Sequence, residues 1–157
     1  MTTNDLLKIR TVADYQFGKG VGEKLFPDNV TVVYSKNTGK IRYIYLNDQL
    51  LATLRPTTGL FILTIAGAKH MMREVNSPRL WVKLEDYAEP FVAKGRSAFA
   101  KHVVDADPEI LPKEEVIVVD QNSNVLAVGW ALLTGTEMKA FNRGIAVHVR
   151  RGVSEKS

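Results

Sequence analysis

The sequence contains no cysteine, which excludes a disulfide framework and any metal cage built on thiolates, and agrees with a reducing compartment. No apolar run is long enough to span a bilayer, and the polar opening MTTNDLLK lacks the hydrophobic core of a signal peptide. A soluble, cytoplasmic chain with no membrane partner is therefore expected. Histidine is scarce: His70, His102 and His148 are scattered without ligand spacing, so no metal site is expected. None of them is placed by a motif to activate a hydroxyl such as Ser97. The segment GKGVG, Gly18 to Gly22, lacks the Lys-Ser or Lys-Thr ending and the leading strand of a phosphate loop. With no catalytic constellation and no cofactor signature, the chain is expected not to be an enzyme and to need no cofactor.

What is present is enough apolar material, 45% of 157 residues, to bury real cores in one compact domain or two small ones. Lys and Arg number 21 against 17 Asp and Glu, a mild basic excess that suits an anionic partner. The excess is unevenly shared. Met1 to Ser77 carries 10 basic and 6 acidic residues, whereas Pro78 to Ser157 carries 11 of each. An anion bound by the second part must be met by segregated charge, and the charges do segregate. Lys94, Arg96 and Lys101 lie together, Arg143, Arg150 and Arg151 lie near the end, and acids crowd between Asp105 and Asp120.

Apolar positions recur at helical spacing from Val12 to Phe26, broken by Gly18, Gly20 and Gly22, which predicts two helical pieces packed closely through glycine. Strands are expected at Thr31 to Ser35, Lys40 to Leu46, Gln49 to Leu54 and Leu60 to Thr64, joined by turns at Lys36 to Gly39, Asn47-Asp48 and Thr57 to Gly59. From Ile65 the period becomes helical until Asn76-Ser77-Pro78, and a boundary is placed there, between a domain of residues 1–77 and one of residues 78–157. Beyond it, Arg79 to Asp86 reads as a strand, Ala88 to Ala93 as a short helix stopped by Gly95, and Arg96 to Val104 as extended chain. Asp105, Asp107 and Pro108 are expected to form a turn. The β-branched EVIVV core of Glu115 to Asp120 predicts a strand buried on both faces. Gln121 to Asn124 reads as a hairpin turn, Val125 to Leu133 and Gly144 to Arg150 as strands, and Thr134 to Phe141 as a short helix. Strands so short and frequent predict a closed or half-closed barrel.

The series GRSAFAK, DADPEILP, EVIVV, LAVGWALLTG, EMKAF and GIAVHVRRGV, in that order, resembles a PUA domain, an RNA-binding module, over about Arg79 to Val153. ADYQFGKG, TGKIR, ATLRPTTGLFILT and GA, within Ala13 to Glu74, are similar to the domain that precedes PUA in archaeal archaeosine tRNA-guanine transglycosylases. The resemblance implies an α+β chain: a small N-terminal antiparallel sheet with helices, then a PUA-type β pseudobarrel with two short helices. It further implies RNA, in particular the acceptor end of tRNA, as partner. The transglycosylase barrel is not seen, so a catalytic subunit on another chain is a possible second partner. Carried over by motif, Lys94, Gly95, Arg96, Ser97, Phe99 and Lys101 would line one side of the RNA site, and Val149, Arg150 and Arg151 the other. Phe99 and Trp130 are each open to two readings, base stacking or core packing. Trp130 and His102 depart from the family pattern. Lys36, Lys40, Arg42 and Arg55 either extend a basic surface or solubilise strand faces. Two rival readings are a protein-interaction subunit of a ribosomal or translation-related complex and an RNA-modifying enzyme in its own right.

Overall fold

A computed structural model describes residues 1–155 as two compact units, Met1–Pro78 and a second beginning at Arg79.

The first unit opens with helix α1 (Thr3–Phe17), which starts well before the expected Val12. Its start is fixed by a capping box: Thr2 Oγ1 accepts from the Asp5 amide and Asp5 Oδ2 accepts from the Thr2 amide, both at 3.1 Å. Ile9, Ala13 and Phe17 then give one buried face, and the periodicity near Val12 reveals only its last turns. Helix α2 (Val21–Leu25) folds back against α1. A methyl at Gly22 would stand 2.3 Å from the Arg10 carbonyl oxygen, so the glycine is what lets the two helices touch. Four antiparallel strands follow as a meander, β1 (Thr31–Tyr34), β2 (Ile41–Leu46), β3 (Gln49–Leu54) and β4 (Phe61–Leu63). Asn47 and Asp48, both with positive φ (50° and 68°), make the two-residue turn between β2 and β3 whose twist matches the strands. The buried Gln16 amide clamps α1 to β4 by accepting from Phe61 N (2.7 Å) and donating to Phe61 O (2.8 Å). Helix α3 (Ile65–Glu74), capped by Thr64, closes the unit.

The second unit is a six-stranded sheet in the order β6-β10-β9-β8-β5-β7. The strands are β5 (Trp81–Leu84), β6 (Ala98–Phe99), β7 (Val103–Ala106), β8 (Glu115–Val119), β9 (Val125–Ala131) and β10 (Ile145–Gly152). All neighbours are antiparallel except β5 and β8. The edge strands β6 and β7 are separated only by the 3₁₀ turn Ala100–His102, so the sheet curls until its edges nearly meet. That is the expected half-closed barrel, with helices α4 (Glu89–Ala93) and α5 (Gly135–Ala140). Every residue of β8 is buried, and in β9 all but Trp130. Each large aliphatic side chain so buried contributes about 1.5–3 kcal/mol.

Three further expectations need correction. The extended run Arg96 to Val104 is interrupted by the 3₁₀ turn, because the chain must pass from one sheet edge to the other. Asp105 lies inside β7 opposite Lys83 and is not part of a turn. Asp107 and Pro108 do lie at the turn, where the Asp107 carboxylate accepts from Glu109 N (2.9 Å) and from Leu80 N (2.7 Å). Finally, β10 runs past the expected end at Arg150 to Gly152, which puts Arg151 within the ladder.

Candidate nucleic-acid interface

Helix α4 has five residues and ends abruptly. The amides of Lys94, Gly95 and Arg96 all turn back, donating to Phe91 O (3.2 Å), Val92 O (2.9 Å) and Phe91 O (3.1 Å). Gly95 has φ 102°, open to glycine but strained for other residues, and the Glu155 carboxylate occupies the place a side chain would need, 2.3 Å from a Cβ. The glycine thus serves to end the helix, and its amide is committed within the chain. Beyond it the residues alternate. Arg96 is exposed, Ser97 half-buried, Ala98 buried and Phe99 45% exposed.

Between α4 and β6 lies an apolar cavity of about 190 Å³, lined by Ala88, Phe91, Val92, Arg96, Ser97, Phe99 and His102. Aromatic rings frame it: Tyr87 stands 5.8 Å from Phe91 and 5.7 Å from His102, and Phe99 meets His102 edge-on at 6.4 Å. Tyr87, Phe91 and Phe99 keep 69%, 47% and 45% of their surface in solvent, so these faces are open to a partner. His102 is held by Glu85, whose Oε1 accepts from Nδ1 at 2.7 Å; that carboxylate fixes the ring's orientation. The volume is below the ~300–1,000 Å³ of pockets that enclose whole small ligands and suits one planar ring entering from an exposed face. Lys94 and Lys101 are exposed on the flanking segments.

The end of β10 packs against the Gly95 turn. A methyl at Gly152 would stand 2.3 Å from Ala93 O and 2.6 Å from Gly95 N, and Ser154 N donates to Ala93 O at 2.8 Å. The end of β10 and the Gly95 turn therefore form one surface. The three β10 residues that the resemblance offered, Val149, Arg150 and Arg151, behave differently from one another. Val149 is 7% exposed with its side chain in the barrel wall. Arg150, at a bulge between Val149 and Arg151, donates from Nη1 to Glu115 Oε1 at 2.8 Å and from Nη2 to Glu115 Oε2. Arg151 is half-buried. Trp130 stacks on His148 across the strand pair at 4.1 Å, so it faces outward from the barrel wall.

Burial, and then a hydrogen bond with Asp86, raise the Glu89 pKa above the ordinary carboxylate value. Asp105 is held below it chiefly by Lys139, whose ammonium lies 3.1 Å away. Among the described residues no group of His, Asp and Glu is arranged to hold a metal ion, and no helix is long and apolar enough to cross a membrane. Sequence reasoning passed over Tyr87 and Phe91 and weighed His102 only as a metal ligand, a base for Ser97 and a departure from pattern. The four-residue spacing of Tyr87 and Phe91 across a helical segment was the available signal.

The curled sheet, with its glycine-ended helix against the last strand, defines the second unit as a PUA fold. Residues 80–153 match the PUA domain family, and residues 7–78 match the family described as the patch-forming domain C2 of tRNA-guanine transglycosylase. The chain is 44% identical over 151 residues to the tRNA-guanine(15) transglycosylase of Methanothermobacter thermautotrophicus, covering 96% of this chain and 23% of that protein. With the enzyme of the same name from Thermococcus kodakarensis it shares 46% identity over 147 residues, 94% of this chain and 25% of that one. The chain thus spans about a quarter of the length of the curated relatives it matches. A crystal structure of a hypothetical protein from Pyrococcus horikoshii OT3 superposes with a TM-score of 0.79 at 26% identity, over 99% of this chain and 94% of that one. The chain belongs to the PUA-domain proteins in which a transglycosylase-type C2 domain precedes the PUA domain.

Proposed function

We propose that this chain is a non-catalytic RNA-binding protein that holds the single-stranded acceptor end of tRNA and presents it to a tRNA-modification enzyme of the transglycosylase type, in the cytoplasm. The observation that carries the reading is the aromatic-framed cavity beside Arg96. An unpaired base can leave its stack and lie against Phe99, Phe91 or Tyr87, while Arg96, Lys94, Lys101 and Arg151 neutralise phosphates and the Ser97 hydroxyl bonds a phosphate or 2′-hydroxyl. Gly95 gives the turn its shape, and Val149 and Arg150 hold the strand beside it. A folded RNA with a free 3′ end supplies both an unstacked base and a run of phosphates, which duplex RNA does not. The histidines are engaged elsewhere than at a nucleophile: His70 with Lys24 O and Arg73, His102 with Glu85, His148 with Trp130. This supports a binding role.

Filter binding across a salt series, with tRNA intact or trimmed of its single-stranded 3′ nucleotides, tests the proposal. Phe99→Ala is expected to cost about 1–3 kcal/mol of affinity with the salt slope unchanged. Arg96→Gln is expected to flatten that slope by about one unit. Binding without salt dependence, or equal binding to trimmed tRNA, would refute it.

A further inference from the structure

The first unit has a cavity that the RNA-binding reading does not use. It measures about 350 Å³ and lies between the β2–β3 turn, which contributes Asn47 and Gln49, and helix α3, which contributes Ile65, Ala66, Lys69 and Arg73. The lining contains two cations and two side-chain amides and no carboxylate. Lys69 and Arg73 are four residues apart on α3 and so project over the same wall. Arg73 is held from two sides: its Nη2 donates to His70 Nδ1 at 3.3 Å and its Nε lies 3.8 Å from the exposed Glu74 carboxylate just outside the lining, while the buried His70 donates from Nε2 to Lys24 O at 3.0 Å. The ring thus acts as a fixed post for the guanidinium. Ile65 and Ala66 belong to the first turn of α3, where amides have no intrahelical acceptor, while Thr64 Oγ1 takes the Gly67 amide at 3.0 Å. The positive end of the helix dipole lies at the Ile65 end of this wall, one turn from Lys69, whereas Arg73 stands in the last turn of α3. Lys36, Lys40, Arg42 and Arg55, for which the sequence left open a basic surface or solubilised strand faces, do not line it.

We infer that this cleft is a phosphate site, with Lys69 and Arg73 as the charged partners and Asn47 and Gln49 as neutral donors. The phosphate is that of an RNA backbone or of a small phosphorylated metabolite. The two sources share their chemistry and are separated by experiment. Amide chemical shifts of the full chain are followed by NMR during titration with inorganic phosphate and, separately, with a short single-stranded RNA. Saturable shifts at Ile65, Ala66 and Lys69 in the phosphate arm are expected. In Lys69→Gln/Arg73→Gln they weaken by at least about tenfold, and in the charge-preserving Lys69→Arg/Arg73→Lys they persist. If the same amides also move with RNA, the source is a nucleic-acid backbone; if only inorganic phosphate moves them, it is a small phosphorylated ligand. Absence of saturable shifts, or shifts unchanged in Lys69→Gln/Arg73→Gln, overturns the inference. Phe99→Ala tests the other unit, so failure here and failure of the RNA-binding proposal are read independently.

Discussion

Arg150 offers the sharpest test of what the β10 cations do. By residue type it is a phosphate ligand, yet its guanidinium is spent on Glu115 in a two-pronged pair whose side chains are 22% and 6% exposed. Glu115 sits in the fully buried strand β8, opposite Trp130. Arg150→Ala would leave that carboxylate buried without its guanidinium. Breaking a buried pair costs about 3–5 kcal/mol, and the partial exposure of Arg150 places this one near the lower end, about 3 kcal/mol. A unit of this size loses roughly 4–8 °C per kcal/mol, so a fall in melting temperature of roughly 15 °C is expected. Both tryptophans, Trp81 and Trp130, lie in the second unit, so tryptophan fluorescence reports its melting alone. Arg150→Met/Glu115→Met, which removes both charges, is expected to recover most of the loss. A melting temperature within about 2 °C of the parent for Arg150→Ala, together with weakened tRNA binding, would refute the structural role and return Arg150 to the RNA surface.

Two further outcomes follow from local geometry. Gly152→Ala forces a methyl to 2.3 Å from the Ala93 carbonyl, where backbone must move, so a loss of about 3 kcal/mol in urea unfolding is expected, with weaker tRNA binding as the Gly95 turn is displaced. At Asp120, burial pushes the pKa up, but hydrogen bonds from Asn124 N (2.9 Å), Asn124 Nδ2 (3.0 Å) and Asn122 N (2.8 Å) outweigh it and hold the carboxyl below its ordinary value. A depressed pKa stabilises the fold above the unfolded value and loses that effect as pH falls through the folded one. Asp120→Ala is therefore expected to cost about 1–2 kcal/mol at pH 7, and the difference from the parent should shrink below about pH 4 in a pH series of unfolding curves.

Much of the scaffold was legible because its signals are local. Asn47-Asp48 announces a tight hairpin, the β-branched run from Glu115 to Val119 announces a strand without a polar face, and Gly95 marks a helix end. The start of α1 was missed because its signal is a reciprocal pair of hydrogen bonds between Thr2 and Asp5, not an apolar period. The interruption of Arg96 to Val104 was missed because the turn at Ala100–His102 answers a demand of the whole sheet, that β6 and β7 occupy opposite edges.

For the binding surface, the sequence by itself determined which segments carry cations and aromatics, because composition and spacing are properties of the chain. Only the tertiary structure decided their employment. It folded the end of β10 against Gly95 across more than fifty residues, gathered Tyr87, Phe91, Phe99 and His102 around one cavity, and gave Arg150 to Glu115. The physical reason is that a cation's partner is set by which charge lies nearest after the sheet has closed. That distance is fixed by strand register, which no short stretch of sequence contains.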